Sequence, residues 1–388
     1  MNIKIPDEVI YIINILESNG YEAYAVGGCV RDSLLGKEPK DWDICTSAIP
    51  EQTIKCFEGC HIIETGLKHG TITLMLNHQP FEITTYRIDG VYSDNRRPDN
   101  VEFVRDLKED LSRRDFTVNA MAYNPKTGIA DFFDGVKDLE SRIIKCVGNP
   151  NKRFQEDALR IMRAMRFASV LGFEIDGNTS KAMFDNKSLL RNIASERVAV
   201  ELNKLIVGDN VKEILLKHTD IICEVIPEIS LSNDTLESLI NSPKDLILRL
   251  VTLFHEINSD TAKKILSRLK YDNETIKTVT ELVLYYDADI IPDRKSIKRW
   301  LKKIGAERFR KLLEIKKSDK LKIILDEIIG QNQCYSLKDL AVNGIDLIDI
   351  GITEGKKIGD ILNKLTDMVI DEKIENDRTI LLEIAKGL

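Results

Sequence analysis

Asp41 and Asp43 stand one residue apart at the end of YAVGGCVRDSLLGKEPKDWD, residues 24–43. On an extended segment alternate side chains share a face, so both carboxylates would point the same way. Two like charges that close are unfavourable unless a cation lies between them. Magnesium is held by a few carboxylates together with substrate phosphates. Two such ions about 3.5–4 Å apart activate an attacking oxygen and stabilise a leaving one. Upstream, Gly27 and Gly28 make a turn without side chains, where backbone N–H groups can approach a polyphosphate. Arg31 would add a charge-assisted contact. Surface acids in a loop are the plainer reading of an isolated Asp-x-Asp; the glycine pair and Arg31 tilt it towards phosphate chemistry. Other phosphate and metal patterns fit worse. G-x-G-x-x-G and G-x-x-x-x-G-K-[ST] are absent. The five histidines (61, 69, 78, 218, 255) have no zinc-ligand spacing, and His255-Glu256 lacks the second histidine of HExxH.

The elements that must position these residues differ along the chain. Alternating segments mark strands at 71–76 (TITLML), 81–87 (FEITTYR), 101–104 (VEFV) and 143–148 (IIKCVG). Helical patterns occur at 6–18, 50–57 and 107–113. Beyond residue 149 apolar residues recur at three- and four-residue spacing and strand signals nearly vanish. The fold class expected is therefore α+β: a small mixed β-sheet head followed by an elongated all-α arm. Breaks at Gly148-Asn149-Pro150, Gly208-Asp209-Asn210 and 287–293 suggest a head (1–148), a helical neck (149–208), a body (209–290) and a tail (291–388).

With 388 residues, 43% apolar and 31% charged, the chain reads as a soluble globular protein of two to four domains. No apolar run approaches the roughly 18 residues of a membrane span. MNIKIPDEVIYIINIL reads as a first helix, not a signal peptide. The seven cysteines are odd in number and include no CxxC, which fits reduced thiols and a cytoplasmic setting. Net charge is −7, yet Arg294 to Lys322 holds thirteen Lys/Arg against Glu307, Glu314 and Asp319. That local excess, with Trp300 and Phe309 among it, is either a solvated helix face or an RNA-binding surface centred on Arg294, Lys295, Lys298, Arg299, Lys302 and Lys303.

EDALRIMRAMRF (156–167) reads as one helix. Asp157 and Arg160 are then spaced i, i+3 on a shared face, Arg163 and Arg166 continue the stripe, and Leu159, Ile161, Met162, Met165 and Phe167 can face the core. A stabilising Asp–Arg pair on a basic amphipathic helix is the plainer reading.

Seven ordered stretches resemble six motifs of the polymerase-β nucleotidyltransferase superfamily. Within it, the match is to the class II (bacterial/eukaryotic type) CCA-adding tRNA nucleotidyltransferases and their poly(A) polymerase relatives. GGCVRDSLLGKEPKDWDI is similar to motif A, and TGLKHGTITLML with FEITTYRIDG to the next head strands. YSDNRRPDNVEFV resembles the flexible loop, RRDFTVNAM motif B, EDALRIMRAMRF the nucleotide-reading motif and SERVAVEL the helix motif after it.

The resemblance implies that Asp41 and Asp43 hold two Mg²⁺ ions, with Glu82 as a third carboxylate. Arg114 and Asp115 would contact the triphosphate and ribose, and Asp157 and Arg160 would read the base, with Arg163 and Arg166 assisting. Its logic is physical. An aspartate only accepts and an arginine only donates. Cytosine and adenine both present an amino donor beside a ring-nitrogen acceptor; guanine and uracil present the reverse. A mismatched buried polar group costs ~1–3 kcal/mol. The loop around 92–100 would act as a lever between C and A. The implied substrates are CTP, ATP and a tRNA held by its acceptor and T arms, with pyrophosphate released. Three other readings stay open: an A-adding enzyme or poly(A) polymerase, a non-catalytic RNA-binding protein, and a small-molecule nucleotidyltransferase.

Overall fold

The computed structural model describes residues 3–90 and 101–388. The segment 92–100, expected to act as a lever, lies outside the described residues. The chain divides after Leu231 into two compact units. The sequence breaks at 148 and 208 fall inside the first unit and that near 290 inside the second.

The first unit opens with helix α1 (Asp7–Ser18), which buries Val9, Ile12, Ile13 and Leu16. That spacing puts all four on one stripe, and each such side chain contributes about 1.5–3 kcal/mol on burial. Strand β1 (Ala23–Val26) leads through the Gly27 turn into α2 (Gly28–Leu34), and β2 (Asp43–Thr46) is followed by α3 (Pro50–Cys56). The strands β3 (His61–Ile63), β4 (Thr71–Leu76) and β5 (Gln79–Thr85) come next. A small ribbon pairs β6 (Arg87–Asp89) with β7 (Val101–Phe103). Helix α4 (Leu107–Ser112) precedes β8 (Met121–Asn124) and β9 (Gly128–Asp131).

The main sheet has seven strands in the order β3-β4-β5-β2-β1-β8-β9. The β2–β5 pairing is parallel and its neighbours are antiparallel. The alternation in TITLML is realised, with Ile72 and Leu74 turned into the core. Below the site strands, Val26, Cys45, Tyr86, Leu111, Ala120 and Ala122 form one buried cluster. It ties β1, β2, α4 and β8 together, so residues at the ends of these elements are held on a rigid base.

Helix α5 (Gly135–Glu140) and the short pair β10 (Ile143–Ile144) with β11 (Glu174–Ile175) lead into helices. The expected strand 143–148 is therefore only two residues long, with an isolated bridge at Cys146. The expected single helix at 156–167 is two: α6 (Pro150–Glu156) and α7 (Leu159–Leu171). Asp157 between them is extended, at φ −139° and ψ 102°, and its Oδ1 accepts from the Leu159 N–H. Aspartate competes for backbone donors and favours helix starts over interiors, which explains the break. After α8 (Gly177–Asn186), helix α9 (Ser195–Ile206) packs on α7.

The second unit is helical throughout its described elements. Its last segment has its own core of Val342, Leu347, Ile361, Leu365, Val369 and Leu381.

Candidate active site

The carboxylates gather through strand register. Asp43 opens β2 and is the register partner of Glu82 on β5. Asp41 lies just before the strand. Loss of surrounding water raises the Asp43 carboxyl above the usual aspartate range, and the charges of Glu82 and Asp41 push it further, with Arg114 opposing them. A crowded, partly desolvated carboxylate of this kind is stabilised by a cation. Among the described residues no three His, Cys, Asp or Glu side chains converge tightly enough to cage an ion by themselves. The donor set still fits Mg²⁺, which takes one or two carboxylates and completes its shell with water and phosphate oxygens.

Beside the acids is the glycine turn. Gly27 has φ 83°, and a Cβ there would lie 3.0 Å from Arg114 NH1. Only glycine meets both the backbone geometry and the close approach of the guanidinium. Arg31, on α2, donates from Nε to Asp32 (2.8 Å) and from NH1 to the Asn119 side-chain oxygen (2.5 Å). Asn119 in turn donates to Asp115 Oδ1 at 3.4 Å.

Asp115 is the centre of the next layer. Its Oδ1 accepts from the Phe116 N–H, and Oδ2 accepts from Arg163 Nε (2.8 Å) and NH2 (2.6 Å). Burial alone would raise this carboxyl, but Arg163 and Arg160 outweigh it and hold it at about 2. Arg166 meets Glu201 of α9 at 2.6 Å. The Phe167 ring lies under three guanidiniums, those of Arg31 (5.2 Å), Arg163 (5.4 Å) and Arg166 (3.7 Å). Phe167 is buried, as expected, but it faces cations as well as core.

The base-reading pair differs from the sequence expectation. Asp157 and Arg160 do not share a helix face, because the helix breaks at Asp157. Asp157 Oδ2 accepts from Arg197 of α9 at 3.0 Å. Arg160 is held by Glu156 Oε2 (2.9 Å), the Arg153 carbonyl (3.3 Å) and the Arg113 carbonyl (3.1 Å). Each side chain is thus oriented by its own partners, and Asp157 and Arg160 meet through the backbone, where the Arg160 N–H donates to the Asp157 carbonyl at 3.0 Å.

The basic face also differs. In the helix Arg294–Ile304 of the second unit, Lys298 is buried and stands off the exposed surface. Arg294 pairs with Glu327 (2.9 Å), Lys295 with Glu372 (3.5 Å), Arg299 with Asp371 (2.5 Å) and Lys302 with Asp367 (2.8 Å). The Lys303 ammonium lies 4.2 Å from the Tyr285 ring centre and 5.0 Å from that of Trp300. Acids distant in sequence therefore compensate much of the run.

Five residues of the site were not singled out from sequence: Asp110, Asn119, Glu156, Arg197 and Glu201. All stand in or beside recognised motifs, as in EDLSRRDFTVNA and SERVAVEL. An acid three or four residues before paired arginines was the available signal for Asp110.

Sheet, glycine turn and register-paired carboxylates define a nucleotidyltransferase head. Matches to family models extend this along the chain. The Poly A polymerase head domain covers residues 23–145, the probable RNA and SrmB-binding site of polymerase A covers 172–232, and the putative tRNA nucleotidyltransferase domain 2 covers 241–385. The CCA-adding enzyme of Ligilactobacillus salivarius is 38% identical over 99% of this chain and 98% of its own length. That of Lactococcus lactis subsp. lactis is 36% identical over 99% of each. The crystal structure of the Bacillus stearothermophilus CCA-adding enzyme in complex with CTP superposes with a TM-score of 0.86 at 30% identity, covering 99% of this chain and 98% of that one. The Thermotoga maritima CCA-adding enzyme complexed with tRNA shares the fold, with a TM-score of 0.70 at 21% identity over the whole of both chains. The chain belongs to the CCA-adding enzyme family.

Proposed function

We propose that this enzyme adds C, C and A to the 3′ end of tRNA from CTP and ATP without a nucleic-acid template. The observation that carries the reading is the register pairing of Asp43 with Glu82 beside the Gly27–Arg114 approach. In the reaction the RNA 3′-hydroxyl oxygen bonds to the α-phosphorus of the triphosphate, and the bond to the bridging oxygen breaks to release pyrophosphate. Asp41, Asp43 and Glu82 would hold two Mg²⁺ ions, which supply charge neutralisation at the attacking and leaving oxygens.

The chain's own residues orient the reactants. Arg114 and Arg31 bind phosphate oxygens at the glycine turn. Asp115, fixed by Arg163, accepts from the ribose 2′-hydroxyl and favours ribonucleotides. Asp157 accepts from the exocyclic amino group of C or A, and Arg160 donates to the ring nitrogen. Positioning of this kind accounts for much of the barrier lowering in metal-assisted transfer. The helix Arg294–Ile304 contacts tRNA phosphates through its solvent-facing cations. Among the described residues no helix is long and apolar enough to cross a membrane, and a cytoplasmic site of action fits a tRNA substrate.

The test is direct. The protein is incubated with tRNA lacking its 3′ end and labelled CTP or ATP, with and without Mg²⁺, and the product is sequenced. Metal-dependent CCA ends are expected. Addition of A alone would assign an A-adding enzyme, and no addition would overturn the reading.

A further inference from the structure

The largest unexplained investment near the site is the carboxylate of Asp110. Its side chain has no solvent exposure. Oδ1 accepts from the Arg87 N–H (3.3 Å) and from Arg113 Nε (3.0 Å) and NH2 (2.7 Å). Oδ2 accepts from Arg114 NH2 at 3.4 Å. The i, i+3 and i, i+4 spacing lets one carboxylate reach both arginines. Burial would raise this carboxyl, but Arg113 and Arg114 hold it below the usual range, so it is ionised in the folded enzyme.

The two arginines lead in different directions. Arg114 runs to the glycine turn, 3.0 Å from where a Gly27 Cβ would sit, and its charge acts on Asp43. Arg113 runs to the ribbon, where Nε also donates to the Arg87 carbonyl (3.1 Å) and NH1 lies 3.8 Å from Asp89. The Arg113 backbone carbonyl accepts from Arg160 NH2 at 3.1 Å. A phosphate-side arginine and the support of a base-side arginine are thus consecutive residues with side chains on one carboxylate.

We propose that Asp110 is a positioning residue that sets Arg114 and Arg160 in a common register, and so governs discrimination of CTP and ATP against UTP and GTP. The proposal rests on the roles given to Arg114 and Arg160 under the proposed function. With the carboxylate gone, the Arg113 and Arg114 guanidiniums lose a charge-assisted anchor, and the Arg113 carbonyl that holds Arg160 is less firmly placed. A small misplacement of the base edge against Arg160 then weakens the correct contacts more than the incorrect ones, because only the correct base uses them.

The experiment compares full-length wild type with Asp110→Asn. CTP and UTP binding are measured by equilibrium dialysis with Mg²⁺ and no tRNA. Steady-state kinetics with both nucleotides are then measured on tRNA lacking its 3′ end. The expected result is CTP affinity about tenfold weaker and a CTP-to-UTP ratio of kcat/KM lowered about fivefold or more, with the KM for tRNA unchanged. Asp110→Glu, which keeps the charge, recovers part of the ratio. Equal losses for CTP and UTP, or a change in melting temperature alone, overturn the proposal. Should Asp110→Asn fail to fold, Arg113→Lys keeps the cation but removes its planar fork. It should lower the same ratio to a smaller degree, and an unchanged ratio overturns the proposal equally. A wild type that adds nothing to tRNA sinks the proposed function, while the binding ratio measured without tRNA still reports on Asp110.

Discussion

At the residue scale the acids near the glycine turn have opposite electrostatic characters. Asp43 is crowded, and its carboxyl is raised by desolvation and by Glu82. The fold therefore carries that charge at a disadvantage, which a metal ion bound as proposed would relieve. Asp43→Ala should cut nucleotide addition by a thousandfold or more, since a metal contact supplies several kcal/mol to the transition state. The same variant should melt no lower than wild type. A thermal scan beside an incorporation assay checks both, and substantial remaining activity refutes the metal assignment. Asp115 is the reverse case, held at about 2 with Arg163 as its partner. Exposed pairs are worth ~0–1 kcal/mol and breaking fully buried ones costs ~3–5. With Arg163 partly exposed, Asp115→Asn should destabilise by about 2 kcal/mol at neutral pH. Because the folded value lies below the ordinary 3.8, this stability is complete above that value and is lost as pH falls towards about 2. Urea melts of both proteins at pH 7, 5, 4 and 3 should show a gap that is constant to about pH 5 and shrinks below it. A gap that persists unchanged at pH 3 contradicts the pairing.

At the scale of elements, the break between α6 and α7 separates the supports of Asp157 and Arg160, the two side chains proposed to read the base. A continuous helix would have paired Asp157 with Arg160 and left α9 as packing. The break instead turns Asp157 towards Arg197 and leaves Arg160 to Glu156 and the Arg113 carbonyl. In the proposed reading each of the two side chains has its own support, Asp157 on α9 and Arg160 on α6 and the Arg113 carbonyl. Asp157→Ala should therefore retain metal-dependent transfer but incorporate U or G at least about tenfold more often relative to C, since one mismatched buried contact is worth ~1–3 kcal/mol. Sequencing of products made from mixed triphosphates checks this, and unchanged base choice removes Asp157 from the reading role.

At the scale of the whole molecule, charge is distributed differently from its order along the chain. The basic run from Arg294 is matched by Glu327, Asp367, Asp371 and Glu372, which fold against the same helix. Affinity for tRNA should fall with salt less steeply than the number of cations in the run suggests, because each released counterion requires a cation available to a phosphate. Replacing one compensating acid, as in Asp371→Asn, frees Arg299 and should tighten tRNA binding a few-fold at low salt. Filter binding across a salt series measures both, and an affinity indifferent to Asp371 argues against RNA contact at this helix.

Contiguous chemistry was legible in the sequence: the Gly27-Gly28 turn with Arg31, the Asp41-x-Asp43 pair and the RRDF and EDALR motifs each lie within a few residues. Strands with alternating faces were legible too, as in 71–76. Strands β1 and β2, four residues long and mostly buried, carry no alternation and were not read as strands. Sequence order by itself determined which residue types could hold metal and phosphate, because local spacing sets which side chains share a turn or face. Tertiary structure alone decided their partners: Arg163 for Asp115, Arg197 for Asp157 and four distant acids for the basic helix. The physical reason is that charges and hydrogen-bonding groups pair through space, and folding selects partners as near as Arg87 and Asp89 or as distant along the chain as Arg299 and Asp371.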